Sequence, residues 1–222
     1  MTAPGPVRAV LFDFAGTLFG RRRGTGWLGL GGPDEELIVR TLRHPDPVLP
    51  LMTADQRALW NGRDLSPGHN RAAYTTLFRL AGLRDEAALA RVHRRLADPA
   101  TWHPYPDTAA TLRHLVARGL AIGVVSNISW DISRAFAAHE LDALVGEFTL
   151  SYREGRCKPD PELFRRACER LGVPPGACLM VGDDPTTDGG ATAVRMPFHH
   201  IAPAPVDDRP DALRRMLAER AL

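Results

Sequence analysis

The chain has almost no lysine. Its 28 Lys and Arg residues include a single lysine, Lys158, in "CKPDPELF". Arginine in place of lysine over most of a sequence reflects biased base composition in the source, since the two are near-equivalent on a solvated surface. A lysine kept in that background marks a position to examine. Cysteine is scarce too. Cys157, Cys168 and Cys178 are odd in number and follow no metal-ligand spacing, which argues against a disulfide framework or a zinc site. They read as reduced thiols, mostly buried. No apolar run approaches the roughly 18 residues of a membrane span. The opening "MTAPGPVR" has no basic segment leading into an apolar one, so the expected location is cytoplasmic, with no membrane partner. A net charge of +2, with basic residues spread along the chain except at Arg21–Arg23, gives no basis for nucleic-acid binding. What remains is a folded chain of ordinary makeup, 44% hydrophobic and 24% charged.

The segment "VRAVLF" is nearly continuous in apolar residues, the pattern of a strand buried on both faces of a parallel sheet. From Phe19 to about His103 apolar residues recur at three and four in "DEELIVRTLR", "TADQRALWNG", "HNRAAYTTLFRLAGL" and "DEAALARVHRRLA", which predicts a helical insert. Beyond "YPDTAATLRHLVARGL", strands and helices alternate: strand "AIGVVS", helix "SWDISRAFAAH", strand "FTL", helix "DPELFRRACERLG", strand "CLMVG", helix "DGGATAVRM", strand "FHHIA" and helix "RPDALRRMLAERA". The expected fold is α/β: a Rossmann-like, doubly wound parallel sheet formed by residues 1–18 and 105–222, with a helical cap over 19–104.

In such a sheet the ligand site lies beyond the carboxyl ends of the strands. There the sequence puts Asp13, then Ser126 and Asn127, then Asp183 and Asp184, with Asp188 five residues past Asp183. Lys158, just before a helix, should point the same way. Crowded carboxylates repel unless a cation joins them, and a hard oxygen set with room for water suits Mg²⁺. A carboxylate can then attack phosphorus while an ammonium and N–H groups hold the phosphoryl oxygens, which makes Asp13 the candidate nucleophile.

The order of these segments resembles the haloacid dehalogenase-like hydrolase superfamily, in its helical-cap (C1, subfamily I) branch, over nearly the whole chain. "DFAGTL" is similar to its first motif, "VVSN" to its second, "KPDPELF" to its third and "VGDDPTTDGGA" to its fourth. The resemblance implies that Asp13 is nucleophile and metal ligand, and that Ala15 offers its backbone carbonyl to Mg²⁺. It implies that Ser126 and Lys158 bind the phosphoryl group, that Asp183 binds the metal, and that Asp188 holds its water shell or Lys158. Asp184 is a candidate second ligand; for it and Asp188, helix capping stays open. Thr17, Asn127 and Arg21 are the expected substrate contacts. The substrate is a small phosphorylated metabolite, and the state a monomer or homodimer.

Phosphatases of the superfamily carry a second aspartate where this chain has Ala15, and it acts as general acid and base. Three readings follow. The substrate has a good leaving group or receives its proton from elsewhere, the cap histidines His44, His69, His93 and His103 being candidates. Or the chemistry is carbon–phosphorus cleavage, since phosphonoacetaldehyde hydrolases also resemble "D-x-A-G-T"; they use a cap lysine, which is missing here. Or catalysis is weakened and the protein binds a phosphorylated ligand or partner. The run Arg21–Arg23 reads either as a solvated loop or as a source of one arginine facing an anion. Gly24, Gly26, Gly29, Gly31 and Gly32 suggest a mobile hinge or flap, and Trp27, Trp102, His103 and Tyr105 are candidate pocket walls.

Overall fold

A computed structural model describes residues 6–22 and 26–222. The reading of the N-terminal segment, and of Arg23 and Gly24, lies outside the described residues. The strands are β1 Ala9–Phe12, β2 Phe19–Gly20, β3 His103–Pro104, β4 Ala121–Ser126, β5 Glu147–Leu150, β6 Cys178–Gly182 and β7 Phe198–His200. The helices are α1 Gly32–Arg43, α2 Ala54–Asn61, α3 Pro67–Leu80, α4 Glu86–Leu96, α5 Thr108–Ala117, α6 Ser133–Ala137, α7 Ser151–Glu154, α8 Pro161–Arg170 and α9 Ala212–Arg220.

Five strands form one sheet in the order β5-β4-β1-β6-β7, every neighbouring pair parallel. The apolar run of β1 explains its central place, because a strand there must be apolar on both faces. Side chains alternate across a strand, so Val10 and Phe12 join one core with Leu112, Phe136 and Leu213, while Ala9 and Leu11 join another with Leu163, Phe164 and Met180. The register puts Phe12 opposite Val124 of β4 and Val181 of β6. Asp13, Ser126 and Asp183 therefore emerge at one edge. The chain is an α/β protein with a Rossmann-like sheet and an inserted helical unit.

That unit is α1–α4, whose apolar faces close on a third cluster including Ile38, Trp60, Leu77, Phe78 and Val92. Three of its helices start where a side chain satisfies free N–H groups: Thr53 and Gln56 form a capping box on α2, Ser66 caps α3 and Asp85 caps α4. The antiparallel pair β2–β3 at its base has no counterpart in the sequence pattern. Two residues per strand are too few to show alternation.

Two expected helices differ. The helix expected over "SWDISRAFAAH" is α-helical only at Ser133–Ala137. The helix expected at "DGGATAVRM" is a 3-10 helix, Asp188–Val194. Two adjacent glycines oppose an α-helix there, and Gly190 packs so closely that a Cβ would lie 2.5 Å from that of Pro159. The glycine-rich entry to the insert, expected as a hinge or flap, is tied down where it is described. Buried Glu35 accepts the N–H groups of Leu28, Leu30 and Gly31 at 3.2, 2.9 and 2.7 Å. Among the described residues no helix is long and apolar enough to cross a membrane. Cys168 and Cys178 are buried, Cys157 is half-buried, and all three are free thiols.

Candidate active site

Asp13 directly follows β1, and its N–H donates to the Val181 carbonyl, which continues the ladder one residue past the strand. Phe14 anchors the turn beyond it, fully buried with its ring 5.0 Å from Phe19 and 4.9 Å from Trp102. Gly16 sits at φ +86°, and a Cβ there would lie 2.2 Å from Asp183 Oδ2. Only glycine combines that backbone with so close an approach.

Lys158 is the centre of the site. Its ammonium, 2% exposed, donates to Asp13 Oδ1 and to Asp188 Oδ1, each at 2.6 Å. Asp13, Asp183 and Asp188 present carboxylate oxygens within 4.8 Å of one another. Burial pushes the Asp13 pKa up to about 6, Lys158 pulling it back and Asp188 adding to the rise. Burial, then the charges of Asp13 and Asp188, push Asp183 up to about 7. One ammonium does not balance three carboxylates.

The sequence-predicted residues separate here. Asp188 has Oδ1 on Lys158, and its Oδ2 accepts the Asp184 N–H at 3.0 Å. Of the two roles implied for it, this geometry matches holding the lysine. Asp183 has no side-chain hydrogen bond to its carboxylate among the described residues, and it faces a cavity of about 750 Å³ between the sheet edge and the helical unit. Asp184 is exposed and outside the group. Its Oδ1 accepts the N–H groups of Thr186 and Thr187, so it caps a turn as the capping alternative has it. Ser126, 2% exposed, closes β4. Ala15 lines the cavity, and its carbonyl has no donor among the described residues.

Two expected substrate contacts lie differently. Asn127 lines the cavity, but its amide grips the lysine's backbone: Nδ2 donates to the Lys158 carbonyl at 2.9 Å and Oδ1 accepts the Lys158 N–H at 2.7 Å. It positions Lys158. Thr17 is fully buried, outside the cavity wall, and its hydroxyl has no partner among the described residues. Arg21 does face the cavity, its guanidinium 3.7 Å from the Trp27 ring and 4.3 Å from that of Trp102. It donates to Thr101 Oγ1 at 2.9 Å and pairs with no carboxylate among the described residues. Trp27, Trp102 and Tyr105 are cavity walls, whereas His103 is not; of the other cap histidines, His44 and His93 line it and His69 is exposed.

One positioning residue has no signal in the sequence. Arg209, 4% exposed, reaches back from the loop before α9 to donate to the carbonyls of Gly16 and Thr17, with its guanidinium 3.3 Å from the Tyr105 ring. It clamps the turn that carries Asp13 against the C-terminal segment. Arg209→Ala is expected to cost about 2–4 kcal/mol, read as a lower denaturation midpoint, because charge-assisted bonds to buried carbonyls are lost. Arg209→Lys recovers only part of this, since an ammonium lacks the fork that spans two carbonyls.

The comparisons with known proteins agree with this geometry. The family model described as haloacid dehalogenase-like hydrolase matches residues 7–193. A phosphoglycolate phosphatase of Rhodospirillum rubrum is 34% identical over 201 residues, covering 86% of this chain and 77% of that one. The haloacid dehalogenase-like hydrolase domain-containing protein 3 of Danio rerio is 30% identical over 196 residues, covering 80% and 77%. Among solved structures, a HAD phosphatase from Thermococcus onnurineus superposes with a TM-score of 0.54 at 26% identity, covering 88% and 86%. With the four motifs gathered at one sheet edge and the family match spanning most of its length, the chain belongs to the haloacid dehalogenase-like hydrolases and is an enzyme of that class.

Proposed function

We propose that this hydrolase is a Mg²⁺-dependent phosphatase that acts on a small phosphorylated metabolite through an aspartyl-phosphate on Asp13, with residues 19–104 as its cap. One observation carries the reading: Lys158 bridges Asp13 and Asp188, while the Asp183 carboxylate beside them faces the cavity and meets no other side chain by hydrogen bond or ion pair among the described residues. The donor set fits a hard cation, being three crowded carboxylates with excess negative charge and an Ala15 carbonyl that has no donor among the described residues. Asp13, Asp183 and Ala15 would hold Mg²⁺, which when bound neutralises phosphoryl oxygens. Lys158 takes Asp13 Oδ1, leaving Oδ2 to attack phosphorus in line with the departing oxygen. The Lys158 ammonium and Ser126 hydroxyl bind the charge that develops on the phosphoryl group. Asn127 keeps the lysine at that height. Arg21, a half-buried cation with no carboxylate partner among the described residues, takes an anionic group elsewhere on the substrate.

The phosphatase names among the relatives support this reading, and phosphoglycolate is a suitable first substrate because Arg21 would meet its carboxylate. The test is phosphate release from aryl, acyl and alkyl phosphates with and without Mg²⁺. Release from at least one ester class that stops on chelation is expected. Saturable binding of phosphate esters with no metal-dependent release would instead favour the weakened, ligand-binding reading that Ala15 raises.

A further inference from the structure

The methyl group of Ala15 leaves the reaction without an acid at the usual place, and the cavity has another candidate. Two of its lining residues carry carboxyl groups, Asp183 and Asp64. Asp183 belongs to the cluster on the floor. Asp64 comes from the cap, on the short turn between α2 and α3.

That turn is fixed to the core next to the reacting residues. The Asp64 carbonyl accepts the hydroxyl of fully buried Ser151 at 2.6 Å, and the same hydroxyl accepts the Ile128 N–H at 2.9 Å. Ile128 follows Asn127, which holds the Lys158 backbone. The Asp64 side chain, 15% exposed, is steadied at Oδ1 by Asn70 Nδ2 at 3.3 Å, with Arg63 Nε 3.6 Å from Oδ2. We propose that Asp64 is the general acid and base of this enzyme, supplied by the cap in place of the absent aspartate at position 15.

This rests on the phosphatase reading. In the first half-reaction the P–O bond to the leaving group breaks as the bond from Asp13 to phosphorus forms, and the Asp64 proton passes to the leaving oxygen to give the alcohol. In the second, the Asp64 carboxylate takes a proton from water as its oxygen attacks phosphorus. Asp13 leaves as carboxylate, phosphate is released and Asp64 is an acid again. Burial raises the Asp64 pKa, against the pull of Arg63, Asn70 and Lys158, which suits a carboxyl group that must carry a proton. Three other titratable lining residues fit less well. His93 is bound to Thr75 Oγ1 at 2.8 Å, and burial and Arg71 hold it down at about 4. Burial raises Tyr74, which keeps its proton, and the Tyr105 hydroxyl donates to the Ala204 carbonyl.

The experiment compares wild type, Asp64→Asn and the double variant Asp64→Asn/Ala15→Asp on phosphoglycolate and on p-nitrophenyl phosphate, with Mg²⁺ and rapid quenching. Wild type is expected to turn over both. Asp64→Asn should lose about 10²- to 10⁴-fold in kcat/KM on phosphoglycolate. On the aryl ester, whose leaving group needs no proton, it should keep a first-turnover burst and then stall as the phospho-enzyme. Ala15→Asp should restore phosphoglycolate turnover to the Asp64→Asn protein. An Asp64→Asn enzyme within about threefold of wild type on phosphoglycolate overturns the assignment. So does one that loses the aryl burst as well and is not restored by Ala15→Asp, because then Asp64 only docks the cap. A wild type active on the aryl ester alone overturns Asp64 and leaves the phosphatase reading standing. One active on neither overturns Asp64, and inactivity across the aryl, acyl and alkyl panel overturns the phosphatase reading as well.

Discussion

Lys158→Met is expected to abolish turnover and to destabilise the fold by about 3–5 kcal/mol, because it leaves Asp13 and Asp188 buried without their cation. Burial alone would lower the Lys158 pKa, but the two carboxylates outweigh it and raise it. A raised lysine value means that its stabilising contribution is fully present below the unfolded value and is lost only at alkaline pH. The carboxylates act in the opposite sense. Asp13 and Asp183 titrate at about 6 and about 7 against an ordinary 3.8, so the folded state holds protons that the unfolded chain has released. In metal-free protein these two groups therefore cost stability as pH rises from about 4 through 7. Mg²⁺ should remove most of that cost, and the Lys158→Met protein should show a larger cost and a larger recovery. The check is the difference between melting curves taken with chelator and with Mg²⁺ across pH 4.5 to 8. His93 also titrates, its lowered value making stability fall as pH drops below 6.5. It does so equally in both curves, so the difference isolates the carboxylates. A metal effect that is flat with pH would contradict this.

Asp13→Asn separates chemistry from folding. The amide is no nucleophile, and a loss of at least about 10⁴-fold in kcat is expected, as for removal of a covalent catalyst. Stability should change by no more than about 1 kcal/mol. Lys158 keeps Asp188, the amide oxygen can still accept from the ammonium, and one of three crowded charges is gone. Circular dichroism and a urea midpoint measured beside the kinetics check both halves of the prediction.

Much of this arrangement was legible in the sequence because it follows from strong local signals. The buried run before Asp13 predicts a central parallel strand, and β1 is one. Strand–helix alternation predicts that Asp13, Ser126 and Asp183 share an edge, and the register of β1 with β4 and β6 brings them there. Lys158 stood out as the lone lysine and lies between two carboxylates. What was not legible depends on contacts distant in the chain. Arg209 sits in a Pro-rich loop nearly 200 residues from the turn it clamps, and nothing in its neighbours marks it. Asn127 was expected to meet substrate, yet its amide is occupied by a backbone 31 residues away. Asp64 reads locally as a turn residue, and only the docking of that turn on Ser151 brings it to the cavity. The glycine-rich segment suggested a hinge because the pattern does not reveal that Glu35 collects its N–H groups.

The most direct measurement is mass spectrometry of the enzyme quenched in acid during turnover of p-nitrophenyl phosphate with Mg²⁺. The peptide that contains Asp13 should carry one phosphoryl group, absent without metal and absent in Asp13→Asn. Metal-dependent phosphate release with Asp13 unmodified at every quench time, or with the phosphoryl group on another residue, would contradict the assignment of Asp13 as nucleophile.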